Sequence, residues 1–165
     1  MRLIGLAITF VLLAGPAWAM DGLHFGAVDP AKGVDAVGAT LTDVEVFNSP
    51  KFAKITSGDD AQGRHVIVGG DKDGKVEMMA VSWKGAVALQ DPASTASIEK
   101  DFGLAGLTRT ARDKCDPVYA NASDMTCMQV DYDCKDNFCP VTLLSLTPGG
   151  QTADGIMHLS WQAQP

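Results

Sequence analysis

Over most of this chain apolar residues recur at every second position in short runs, the period of half-buried β-strands. In Leu41 to Phe47, Val44 and Val46 alternate with Asp43 and Glu45. The turn residues "NSP" (48–50) close that strand, and "KFAKI" (51–55) reads as a second, short one. "HVIVGG" (65–70) and "KVEMMAVSW" (75–83) flank Asp71-Lys72-Asp73-Gly74. An Asp-Gly step between two β-rich runs predicts a hairpin. In its second strand Met79, Val81 and Trp83 share one face and Val76, Met78 and Ala80 the other. Both faces are apolar, so this strand is expected in the middle of a sheet. Further strands are expected over 128–134, 140–146 and 156–161.

One helix interrupts the β pattern. Asp91 can cap it, Pro92 suits its first turn, Ile98 and Phe102 lie four apart on one face, and Gly103 can end it. Residues 104–114 can either extend this helix after a break or form another strand. Residues 20–40, rich in Gly, Ala and Asp, are expected as an irregular N-terminal arm. The fold class expected is α+β: a mostly antiparallel sheet of about five or six strands, one helix packed on a face, and two disulfides.

The N-terminus has the three parts of a secretory signal: Arg2, the apolar run Leu3 to Ala14, and small residues at Ala17 and Ala19 after Gly15-Pro16. At about 12 residues the run is too short for a membrane span, which needs about 20. Residues 1–19 are therefore read as a cleaved signal and 20–165 as one mature domain. The expected location is the periplasm or the outside of the cell, with no stable membrane insertion after cleavage. Asn121-Ala122-Ser123 would be glycosylated only in a eukaryote, and the short signal with a single arginine favours a bacterium.

With 13 Lys+Arg against 20 Asp+Glu the chain has a formal charge of −7, and cleavage after Ala19 removes Arg2 and no acid. That balance excludes nucleic acid as a partner, whose phosphates demand a basic face. It suits a basic envelope or secreted protein.

The four cysteines are read as staples. In "MQVDYDC" Met128, Val130, Tyr132 and Cys134 face one way, and Gln129, Asp131 and Asp133 the other. A four-residue loop over 135–138 sets Cys134 opposite Cys139, Tyr132 opposite Val141 and Val130 opposite Leu143; a shift by one residue breaks these apolar matches. Cys127 lies about 23 Å from Cys134 along the strand and must pair with Cys115. The expected bridges are 115–127 and 134–139. A reactive dithiol is disfavoured by the wide spacing and by Asp133 and Asp136, which would raise a thiol pKa.

Other chemistry is thin. Met125, Met128 and His158 are the candidates for copper, but Met128 belongs to the inner strand face and Met157 points away from its neighbour His158. "DKDGKVE" lacks the first and last calcium ligands of an EF-hand loop. His24, His65 and His158 stand in no catalytic motif, so no catalytic residue and no cofactor is assigned, and an enzyme is disfavoured. The reading that follows is a noncatalytic interaction or inhibitor-type module. Its candidate surface comprises Asp124, Asp131, Asp133 and Asp136, with a periplasmic small-ligand or copper carrier and a thiol-disulfide redox protein as alternatives.

Overall fold

The computed structural model describes residues 28–116, 125–133, 141–148 and 154–162. Its strands are β1 Thr42–Phe47, β2 Lys54–Asp59, β3 His65–Gly70, β4 Val76–Lys84, β5 Thr108–Arg112, β6 Met125–Asp133, β7 Val141–Pro148 and β8 Ile156–Gln162. The helices are α1 Val34–Gly38 and α2 Pro92–Asp101, with a 3-10 turn at Pro30–Lys32. The strands form one antiparallel sheet in the order β1-β2-β3-β4-β8-β7-β6-β5.

That order is two four-stranded meanders, β1–β4 and β5–β8, joined along β4 and β8. A helix precedes each meander, so the succession of one helix and four strands occurs twice. The sheet is wider than the expected five or six strands. One reason is β5, whose sequence "TRTAR" has no large apolar residue to reveal it. It settles the alternative over 104–114: a strand, Thr108–Arg112, follows α2. The expected irregular arm over 20–40 is also corrected where it is described. Between Pro30 and Gly38 it folds into the 3-10 turn and α1, which buries Val34 and Val37 over β2 and β3.

The core lies on one face of the sheet, beneath both helices. Val66, Val68, Met79, Val81, Leu143 and Leu159 are fully buried there. α2 is built as its sequence dictates. The Asp91 side chain accepts hydrogen bonds from the Ala93 amide and the Ser94 hydroxyl at 3.0 and 2.9 Å, Pro92 opens the helix, and Gly103 leaves it at φ 70°. Its Phe102, 1% exposed, stacks on Trp83 of β4 with ring centroids 5.4 Å apart.

The β6–β7 register is the expected one, with Tyr132 opposite Val141 and Val130 opposite Leu143. Cys115 and Cys127 form a disulfide with Cα atoms 5.4 Å apart. Cys134 and Cys139 lie outside the described residues, as do Asp124, Asp136, the sequon and the signal. One facing assignment is corrected: Val76 joins the core with Met79 instead of sharing a face with Met78 and Ala80. The ladder pairs Gly69 with Met78 but Gly70 with Val76, and the extra residue on β4 is a bulge that rotates Val76 inward. No helix among the described residues is long and apolar enough to cross a membrane.

Candidate functional site

A sheet of this kind has two edges, each with a row of backbone N–H and C=O groups outside the ladder. The edges here, β1 and β5, are chemically opposite. β5 carries two arginines, and both are engaged. Arg112 pairs with Asp131 at 3.0 Å, and the Nε of Arg109 lies 3.4 Å from Glu99 while its other nitrogen donates to the Leu89 carbonyl. Every residue of β1 is exposed. Among the described residues the large apolar side chains most open to solvent are Val44 (45%), Val46 (62%), Phe47 (47%) and Ile156 (41%). Three of these four belong to β1, interleaved with Asp43 and Glu45.

Local chemistry fixes this strand at both ends. Leu41, just ahead of it, is buried. The ladder to β2 then slips between Thr42 and Glu45, and Asp43 sits at φ 50°, a left-handed conformation that Asp tolerates better than most residues. Past the bulge the pairing is regular: Glu45 with Ser57, Val46 with Thr56, Phe47 with Ile55. Val46 therefore lies on the helix side of the sheet and Glu45 and Phe47 on the other. Beyond the strand the Ser49 hydroxyl accepts hydrogen bonds from the amides of Lys51 and Phe52 at 3.1 and 3.4 Å, which turns the chain. The buried Phe52 ring then packs against Gly69. The result is a short edge, anchored at both ends.

The sheet gathers polar side chains in three other places. Asp131 accepts from Gln129 Nε2 at 2.7 Å and from the Thr142 hydroxyl at 3.0 Å, besides its pair with Arg112. It is consumed within the sheet, whereas Asp133, at the end of β6 opposite Thr108, stays exposed. Under α2 the Glu99 carboxylate takes hydrogen bonds from Tyr132 and Thr95, both at 2.9 Å. Burial, and next the bond to Glu99, hold the Tyr132 phenol well above the ordinary tyrosine range. A third cluster ties the β2–β3 turn to α2. Arg64 donates to the buried Asp60 at 2.7 Å and to Asp101 at 2.6 Å, with its guanidinium 5.1 Å from the Phe102 ring. It borders a groove of about 710 Å³ beside Trp83 and Lys84.

The sequence-derived copper candidates do not converge. On β6, Met125 and Met128 fall on opposite faces, and Met128 packs against the core. His158 shares a face with Met125, but their partners on β7 are Leu144 and Pro148, about 13 Å apart along that strand. Among the described residues no group of three or more His, Cys, Asp or Glu side chains is placed to hold a metal ion. One pairing escaped the sequence reading: His158 Nδ1 lies 2.9 Å from the Ser82 hydroxyl across the β4–β8 seam. Burial lowers the pKa of that imidazole. Among the described residues no carboxylate bonds to the ring.

No family model matches this chain, and neither a curated protein nor a solved structure matches it.

Proposed function

We infer that the protein is a noncatalytic interaction module of the exported compartment and that it engages its partner through the β1 edge. The observation that carries this reading is the concentration of exposed apolar side chains, Val44, Val46 and Phe47, on one acidic edge strand. Proteins commonly blunt such edges with lysine, proline or covering segments. Here the regular stretch after the Asp43 bulge carries a glutamate, a valine and a phenylalanine. The disulfide between Cys115 and Cys127 and the polar clusters around Asp131 and Glu99 support the same role, since they rigidify the sheet that presents the edge.

The test is native mass spectrometry of the protein purified from its export compartment, as wild type and as Val46→Lys. A stoichiometric protein partner that dissociates with added salt and is absent from the variant, with thermal stability unchanged, is the expected result. A bound small molecule or metal ion in place of a protein would overturn the reading in favour of a carrier. A cysteine pair that alkylates readily in the native protein would favour a redox role.

A further inference from the structure

We propose that β1 receives an extended segment of the partner as a ninth strand, and that this segment alternates apolar and basic residues. The proposal rests on the interaction-module reading and adds the mode of docking and the chemistry of the occupant.

The backbone argument comes first. An extended peptide laid against a sheet edge gains main-chain hydrogen bonds, and its alternate side chains fall on the two faces. β1 offers such an edge from Glu45 to Phe47. The bulge at Thr42–Glu45 ends it on one side, and the turn built on Ser49 ends it on the other. The two faces ask for different residues. On the helix side Val46 is the most exposed large apolar side chain among those described, and a cross-strand apolar residue would cover it. On the opposite side stand Glu45 and Phe47. A lysine or arginine there would meet a carboxylate and the face of an aromatic ring within one strand pair. An apolar residue toward Val46 and a cation toward Glu45 and Phe47 is the alternation proposed.

Charge and size both argue against a second copy of this chain as the occupant. Two β1 strands would bring together Asp43 and Glu45 of each, on a chain already at −7. The regular edge also spans only three residues, Glu45 to Phe47. A contact of that length falls short of the roughly 1,200 Å² that stable, specific interfaces bury. A flexible cationic segment needs no such area to bind reversibly, and its charge complements the edge.

The experiment uses the full mature protein, isotope-labelled, and a synthetic peptide of alternating valine and lysine capped at both ends. The expected result is saturable amide shifts in β1 and β2. Affinity should fall about tenfold or more when the peptide backbone is N-methylated at the residues that would donate to β1. A similar loss should follow Val46→Lys or Glu45→Lys. Equal binding of the N-methylated peptide would overturn strand addition in favour of plain charge attraction. Saturation without shifts in β1 would place the site elsewhere and overturn the proposal. So would the absence of binding, whether sedimentation then shows a monomer or a dimer. In each of these cases a salt-sensitive partner still recovered from the export compartment would leave the interaction-module reading standing. Failure of both experiments would remove both.

Discussion

The Tyr132 hydroxyl on β6 donates to the Glu99 carboxylate on α2 at 2.9 Å, and this bond links the helix to the sheet it covers. The Thr95 hydroxyl donates to the same oxygen, and Arg109 stands beside it. Tyr132→Phe removes one donor and leaves Glu99 two partners, so a loss of about 1 kcal/mol is expected in urea unfolding. Glu99→Leu leaves the Arg109 cation without its carboxylate and the Tyr132 hydroxyl without its acceptor, both largely buried, while Thr95 keeps the Pro92 carbonyl. Its cost should be about 3 kcal/mol. Equal costs for the two variants would show that the network does not depend on its charge.

Cys115 and Cys127 are separated by 12 residues in sequence, and their bridge stitches the segment after β5 to β6. Replacing both by serine should lower stability by about 3 kcal/mol on the chain-entropy account. Thermal unfolding of the variant beside the oxidised wild type measures it. An unchanged midpoint would mean that the segment is held by other contacts, such as the Asp116 amide donating to Gln129 at 2.8 Å.

Gly70 ends β3 where α1 passes close by. A methyl group there would lie 2.4 Å from a Val34 methyl and 2.5 Å from the Lys75 carbonyl oxygen. Gly70→Ala should therefore cost about 1–3 kcal/mol through overpacking. Combining it with Val34→Ala should recover only part of that, since the Lys75 contact is with backbone. Full recovery in the double variant would show that α1 alone sets the constraint.

His158 makes stability depend on pH. Burial lowers its pKa in the folded chain below the ordinary 6.5. Below pH 6.5 the unfolded chain takes up a proton that the folded one resists, so the unfolded state gains. The contribution is complete above 6.5 and declines as the pH falls from 6.5 toward the lower native value. The difference in urea midpoint between wild type and His158→Gln should shift in favour of the variant between pH 8 and pH 5. A constant difference would mean that the ring is as easily protonated in the fold as out of it.

Much of the sheet was legible because alternation is a strong constraint. Val130 and Tyr132 meet apolar residues on β7, a match that alternation within a short hairpin anticipates, and the Asp-Gly turn at 73–74 set β3 against β4. Three features were hidden for physical reasons. "TRTAR" buries little and so lacks the apolar signal of a strand. The bulge opposite Gly69–Gly70 turns Val76 over, and a strict period of two cannot express that. The edge itself was invisible: Val44 and Val46 alternate with acids as in any half-buried strand. Alternation tells how a strand's two faces differ, but says nothing about whether a neighbour lies on both of its flanks. The acidic residues chosen from sequence led elsewhere, since Asp131 is held within the sheet by Gln129, Thr142 and Arg112.

The place of β8 between β4 and β7 has a consequence for the order in which the molecule can be assembled. β4 is finished early, and its free flank waits for β8, the last of the eight described strands in sequence. Until Ile156–Gln162 arrives, the first meander has two open flanks and Met79 and Val81 lack the strand beside them. The two meanders cannot join into one sheet before Ile156–Gln162 has been made, so closure of the seam is a late event.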